Sequence, residues 1–128
     1  MRKIIALTTL ALVFASAAAG STLGGSYQTK IKGNKVPAFN TTWVLKFNAG
    51  GKYTIARNGA IVVRGKDKIT AKRITFGSEK GIYACLGTFA SGTYSWTLKG
   101  SKLTFKSVSD RCPGRKIILT SHALTKIK

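Results

Sequence analysis

Short runs in which apolar and polar residues alternate, separated by glycine-containing turns, fill this chain from about residue 26 to its end. Trp43, Leu45 and Phe47 follow one another at every second position. Asn58-Gly59 between two such runs is a strong hairpin signal. Alternation with a period of two is typical of strands with one buried face. Because no segment after the leader keeps an apolar period of 3.6 residues, we predict an all-β domain without a helix.

The spacing of these runs predicts how the strands are connected. They recur at intervals of roughly 8–12 residues and are joined by tight turns, which favours sequential antiparallel hairpins. Closing such a sheet removes its edges, so we predict an up-and-down barrel of about eight strands rather than a sandwich. The segment 77–81 is predicted as a turn. We also predict a type II turn over Cys112–Arg115 and a last apolar strand over Ile117–Leu119.

The first 19 residues have the organisation of a secretory signal peptide. Met1-Arg2-Lys3 is positive, Ile4–Phe14 is mostly apolar, and the following residues are small. The apolar stretch is shorter than the roughly 20 residues that a membrane-spanning helix requires, although a membrane anchor is the alternative. We therefore expect cleavage near Ala19, a single barrel domain over residues 20–128, and a periplasmic or extracellular location.

The chain has two cysteines, Cys85 and Cys112. In an oxidising compartment two cysteines in a small domain usually form a disulfide, and two buried free thiols are the alternative. No C-x-x-C pair is present, and the single histidine, His122, lies ten residues from Cys112. We therefore expect a disulfide and no metal site.

Three motifs resemble those of small secreted bacterial lipocalin-like proteins. Gly92–Phe105 is similar to the pattern GTYxWxLxGxxLTF, Asp110–His122 to DxCxGR…LTxH, and Trp43–Tyr53 to WxLxF…GxY. The resemblance covers roughly residues 26–126. It implies an eight-stranded lipocalin-like barrel with generic ligand binding. It also implies that Trp43 packs under Arg115, at the closed end of the barrel, in a cation–π contact.

A ligand cavity would be lined by residues of the inward parity. Eight are large and apolar, and they would equally fill a packed core: Trp43, Leu45, Tyr53, Ile55, Phe76, Tyr94, Trp96 and Phe105. Asp67 is the exception, because counting in twos from Ile61 and Val63 through Gly65 places its carboxylate inside. Two interpretations follow: Asp67 is the polar anchor of the cavity, or a bulge near Gly65 turns it outward.

The surface charge gives a second hypothesis. Without Arg2 and Lys3, 20 basic residues stand against three acids, a net charge of +17. Such a field attracts polyanions, including lipopolysaccharide, anionic lipid and nucleic acid. The densest run predicts a patch of Arg64, Lys66, Lys68, Lys72 and Arg73. The outward positions lack the interleaved aromatic residues of a base-stacking platform, so we expect no sequence-specific nucleic-acid binding. General adaptation of a basic exported protein is the alternative.

Catalysis has few candidates. We interpret Glu79 as a solvated turn residue beside Lys80, and Asp110 as part of an Asx-type turn or an ion pair. His122 has no evident acidic partner for a catalytic triad. The sequence therefore predicts a monomeric, non-enzymatic barrel that has no catalytic residue and no cofactor and binds a small apolar or amphipathic ligand. The alternative is a strongly basic envelope protein that binds polyanions through its surface.

Overall fold

The computed structural model describes residues 23–128, so the predicted signal peptide lies outside the described residues. Eight strands form one closed sheet in which every paired strand is antiparallel to its neighbour, and β8 pairs with both β7 and β1. The all-β antiparallel barrel of eight strands is therefore confirmed. The strands are β1 Gly25–Lys30, β2 Thr42–Asn48, β3 Lys52–Arg57, β4 Ala60–Ile69, β5 Arg73–Lys80, β6 Gly92–Lys99, β7 Lys102–Asp110 and β8 Leu124–Lys126.

The barrel has two different ends. One end, the helix end, carries the β1–β2, β3–β4 and β5–β6 connections and the helix α1, Pro113–Thr120, after β7. The other end, the turn end, carries the β2–β3, β4–β5 and β6–β7 turns. The predicted hairpin at Asn58-Gly59 has φ values of 52° and 91°, as a type I′ turn requires. Within the described part of the chain, no helix is long and apolar enough to cross a membrane.

Side chains fill the middle of the barrel. The Tyr53 and Phe76 rings meet edge to face with centroids 4.9 Å apart, and Phe105 lies 5.9 Å from Phe76 and 6.0 Å from Tyr94. Leu45 is buried in the same cluster. This edge-to-face arrangement is one that aromatic pairs favour. The central interior is therefore a packed core, and space for a ligand must lie toward the ends.

The helix α1 corrects the sequence analysis. The prediction of a domain without a helix is wrong, and so are the predicted type II turn, which begins at Cys112 just before α1 and continues into it, and the predicted strand Ile117–Leu119, which lies within it. Pro113 occupies the first turn, where its missing N–H costs nothing. Arg115, Ile118 and Leu119 are the buried residues, at the spacing of one helical face. In a helix of eight residues this period spans only two turns, and the run Ile117–Leu119 hides it.

A bulge in β5 corrects the predictions for residues 77–81. Arg64 lies opposite Lys80 and Lys66 lies opposite Gly77, so β5 has one residue more than β4 over this stretch. Ser78 takes up the extra residue with a φ of 51°. The bulge shifts the alternation by one position, so Glu79 turns into the barrel and is buried. The predicted turn over 77–81 is therefore strand as far as Lys80, and the prediction that Glu79 is solvated is wrong.

A second bulge, in β7, acts on the other carboxylate. Thr93 lies opposite Ser109 and Tyr94 lies opposite Ser107, which gives β7 one extra residue at Val108. Leu103 and Phe105 point inward before the bulge, and Asp110 is buried after it. Two one-residue insertions therefore aim both acids into the helix end of the barrel.

Candidate functional site

A buried guanidinium joins these two carboxylates. Arg115 Nε donates to Asp110 Oδ2 at 2.7 Å, and Nη2 donates to Oδ1 at 2.8 Å, a bidentate pair. Arg115 Nη1 donates to Glu79 Oε2 at 3.0 Å. The two remaining N–H groups donate to the carbonyls of Ala90 and Phe89 at 2.9 and 3.2 Å. All five donors of the guanidinium are therefore used inside the protein.

The carboxylates have further partners. The Tyr53 hydroxyl donates to Glu79, and the Tyr94 hydroxyl donates to Asp110. Burial, followed by the hydrogen bond to the neighbouring carboxylate, raises the pKa of each of these tyrosines above its ordinary value. Burial alone would raise the pKa of Asp110, but the hydrogen bonds from Arg115, Tyr94 and a backbone N–H lower it. The cluster is thus held with Asp110 ionised and both tyrosines neutral.

Two glycines provide room for the cluster. A Cβ atom at Gly92 would lie 2.4 Å from Cγ of Asp110, the residue opposite it in the β6–β7 pair. A Cβ atom at Gly65 would lie 2.6 Å from the Tyr53 ring. A side chain at either position would displace a member of the cluster. These glycines are needed for close approach, and neither occupies a turn.

The predicted Cys85–Cys112 disulfide is present, with the two Cα atoms 6.1 Å apart. It joins the β5–β6 connection to the residue before α1. The backbone N–H of Cys85 donates to Glu79 Oε1 at 2.8 Å, and that of Cys112 donates to Asp110 Oδ1 at 2.9 Å. The disulfide and the ion cluster therefore hold the same two segments together. The predicted Asx-type turn and ion pair at Asp110 both occur.

An open pocket of about 380 Å³ lies beside this cluster at the helix end. The Trp43 ring forms its inner wall, with Phe39 and Tyr83 each 6.2 Å away between ring centroids. Trp43 Nε1 donates to the Phe39 carbonyl at 2.9 Å, so its one polar atom is satisfied. The pocket is lined by Val36, Ala38, Phe39, Trp43, Ile55, Val63, Glu79, Tyr83, Cys85, Cys112, Pro113, Gly114, Arg115 and Ile118.

The charged groups of the pocket are already paired. Arg115 has no free N–H, and both oxygens of Glu79 accept hydrogen bonds from within the protein. A ligand carboxylate or phosphate would have to replace buried ion pairs. The remaining lining is aromatic and aliphatic, so the pocket is suited to an uncharged apolar molecule.

The predicted cavity residues separate into three groups. Trp43 and Ile55 line the pocket. Trp96 is half-buried at the turn end, where its Nε1 donates to the Thr70 carbonyl at 3.2 Å. The remaining apolar candidates are buried in the central core: Leu45, Tyr53, Phe76, Tyr94 and Phe105.

Asp67 lies away from this pocket, near the turn end. It is opposite Phe76, and its neighbour on the same face, Ile69, is opposite Ile74, so it has the inward parity. The irregularity near Gly65 belongs to β5 and does not turn Asp67 outward. Burial raises the pKa of Asp67, and among the described residues its buried Oδ2 has no hydrogen-bond partner. A separate hollow of about 410 Å³ adjoins it.

The predicted contact between Trp43 and Arg115 is only half right. Both residues line the pocket, so they share one end of the barrel. Among the described residues the guanidinium does not lie over the indole, so the cation–π contact is absent. Over the described range 23–128, the cation that lies over a ring is Lys126, 5.9 Å from the centroid of Tyr27.

The predicted basic patch lies on the outer face of β4, β5 and their turn. Its five residues are all exposed: Arg64, Lys66, Lys68, Lys72 and Arg73. The register adds two like-charged neighbours, since Lys52 lies opposite Lys66 and Lys80 lies opposite Arg64. Like charges directly opposite one another destabilise a sheet. Because Glu79 and Asp110 are buried, their carboxylates do not offset the positive charge of this surface.

The remaining candidates form no second site. His122 is exposed just after α1. Within residues 23–128, no group of three His, Cys, Asp or Glu side chains is placed to hold a metal ion.

Glu79 is a site residue that the sequence did not predict. The Gly77-Ser78 pair, which interrupts an alternating run, is the signal that could have indicated the β5 bulge before Glu79. Comparison of the chain with protein-family models, curated proteins and solved structures finds no match.

Proposed function

We propose that this protein is an exported, lipocalin-like barrel that binds a small uncharged apolar molecule in the helix-end pocket. The observation that carries the proposal is an open apolar pocket whose charged groups are fully hydrogen-bonded within the protein. Its volume, about 380 Å³, is at the lower end of the range typical of ligand sites. The barrel, the disulfide and the signal-like leader support export.

We expect the pocket to have the same shape with and without a ligand. The disulfide and the ion cluster fix the β5–β6 connection against α1, so the walls contributed by Tyr83 and Ile118 are held in place before a ligand arrives. A preformed site avoids the cost of ordering loops on binding. Binding is therefore expected without a change in secondary structure.

Titration with the neutral fluorescent probe N-phenyl-1-naphthylamine tests this proposal. We expect saturable binding by the native protein. We expect a loss of tenfold or more in Ala38→Phe, which places a ring at the pocket mouth. Ala49→Phe, in the β2–β3 turn at the turn end, is the matched control and should bind normally. Equal binding by all three proteins would reject the pocket as the site.

One observation favours the second candidate function, polyanion binding through the basic patch. Exposed lysine and arginine side chains face one another across β3, β4 and β5 without an intervening acid. Heparin binding should weaken steeply with salt, since each neutralised contact releases counterions. Neutralising the five patch residues should weaken binding far more than neutralising five lysines elsewhere. Equal losses would indicate diffuse attraction to a positive protein.

A further inference from the structure

Exposed apolar side chains are concentrated at the helix end. Ile82 is 81% exposed and Leu86 is 66% exposed, and both lie in the β5–β6 connection. Most of the large apolar side chains exposed in the described part of the chain lie at this end: Val36, Ile61, Ile82, Tyr83, Leu86, Phe89 and Val108. The exposed Ile127 lies at the turn end. Scattered exposed apolar residues are ordinary, but a group at one end of the barrel, of which Val36 and Tyr83 also line the pocket, indicates an interaction surface.

The same end is positively charged. Lys32 and Lys35 belong to the β1–β2 connection, and Arg111 and Lys116 flank the start of α1; all four are exposed. The two acidic residues at this end of the barrel, Glu79 and Asp110, are buried in ion pairs with Arg115. Apolar tips thus project among cations that no exposed carboxylate offsets.

We propose that the helix end docks on a lipid bilayer that contains anionic lipid. In this arrangement Ile82, Leu86 and Phe89 enter the boundary between headgroups and acyl chains, and the lysines contact the headgroups. Apolar burial and attraction to anionic lipid are the two contributions that hold peripheral proteins at an interface. The pocket mouth would then face the bilayer. The residues that would enter the bilayer, Ile82, Leu86 and Phe89, do not line the pocket, so docking does not require an occupied pocket.

Two other occupants fit less well. A second copy of the chain would bring together two surfaces with the same positive charge, in a protein whose net charge without Arg2 and Lys3 is +17. Nucleic acid would be attracted by the lysines, but aliphatic tips such as Ile82 and Leu86 offer no stacking surface for bases.

Vesicle flotation with the full mature protein tests the proposal. At physiological salt we expect binding to a two-to-one mixture of phosphatidylcholine and phosphatidylglycerol and little binding to phosphatidylcholine alone. The double variant Ile82→Ser/Leu86→Ser should bind the mixed vesicles at least about tenfold more weakly, because it buries less apolar surface in the bilayer. Ile127→Ser, an exposed isoleucine away from this end, is the matched control and should bind like the native protein.

A charge comparison separates docking from the basic patch. Lys32→Gln/Lys35→Gln/Lys116→Gln should weaken vesicle binding by roughly fivefold per lysine. Lys66→Gln/Lys68→Gln/Lys72→Gln removes equal charge from the outer face of the barrel and should have a smaller effect. Equal losses from the two triple variants, or binding that is unaffected by the Ile82/Leu86 substitutions, would overturn the proposal and indicate diffuse attraction.

Insertion itself is measured by fluorescence. A tryptophan introduced by Ile82→Trp should be quenched by vesicles whose acyl chains carry bromine, whereas Trp43, which is buried, should change little. Absence of quenching, or absence of vesicle binding by the native protein, would overturn docking. Either result leaves the probe titration of the pocket intact, so the two proposals fail separately. Circular dichroism of each variant confirms that it is folded.

Discussion

Replacing Arg115 by methionine isolates the contribution of the buried ion cluster to stability. The substitution keeps a long side chain but removes all five donated hydrogen bonds, and it leaves the carboxylates of Glu79 and Asp110 buried without a cation. Breaking a buried ion pair from one side typically costs about 3–5 kcal/mol. For a domain of this size, about 4 °C of melting temperature is lost per kcal/mol. We expect the Arg115→Met protein to melt roughly 12–20 °C below the native protein at neutral pH.

The pH dependence of this loss identifies its origin. The folded-state pKa of Asp110 is below its unfolded value, so the ionised carboxylate contributes stability above the unfolded pKa near 3.9. That stability is lost as the pH falls through the folded pKa. In Arg115→Met the pKa of Asp110 rises, so this contribution is reduced or reversed. The gap in melting temperature between the two proteins should therefore narrow as the pH falls below about 4.

The assay is thermal unfolding followed by circular dichroism from neutral to acidic pH. Arg111→Met is the control, because Arg111 is exposed in the same segment, and it should change the free energy of unfolding by about 0.5 kcal/mol or less. Adding Glu79→Gln and Asp110→Asn to Arg115→Met should recover part of the loss, since no buried charge is then left unpaired. A wide gap that does not depend on pH would refute the electrostatic explanation in favour of lost packing.

Three other substitutions or treatments have defined outcomes. Gly92→Ala should lower the free energy of unfolding by about 1–3 kcal/mol in urea titrations, because the added Cβ collides with Asp110. Gly77→Ala has space for its Cβ and should be tolerated; similar losses in the two variants would contradict the explanation by close approach. Asp67→Asn should raise the melting temperature at neutral pH and less so in acid. Folding raises the pKa of this carboxyl, so the cost to stability begins as the pH rises above the unfolded value near 3.9 and is complete above the folded pKa; an unchanged melting temperature would show that Asp67 is solvated. Free-thiol labelling of the denatured, unreduced protein should detect no cysteine, and reduction should cost roughly 3.5 kcal/mol from a loop of this length; two labelled thiols would exclude the disulfide.

The sequence was sufficient to predict most of the barrel because the alternation of apolar residues is a local signal. Tyr53 and Ile55 point inward, as their spacing indicates, and Asn58-Gly59 forms the predicted hairpin. The inward parity of Asp67 follows from counting in twos from Val63. The same count is wrong at Ile61, which is 48% exposed, because β4 has one extra residue, Val62, opposite β3. Where the count holds, neighbouring residues along the chain determine which face a side chain occupies.

The ion cluster could not be predicted in the same way. Glu79 and Asp110 are buried only because each follows a bulge, and one extra residue reverses the parity of everything after it. Arg115 points inward only because residues 113–120 form a helix where a turn followed by a strand was expected. Trp43 and Ile55 reach the pocket from strands and follow the alternation, but most of its lining comes from loops and α1, which meet only in space and have no period in the sequence.

Native mass spectrometry of the mature protein, purified from its own source under mild conditions, tests the central proposal most directly. We expect the native protein to retain the mass of a small neutral molecule that is lost on denaturation and absent from Ala38→Phe. Gly114→Leu, on the α1 side of the pocket, should abolish the adduct in the same way. Finding the bare mass for the native protein, or the same adduct on the variants, would contradict a ligand in the helix-end pocket.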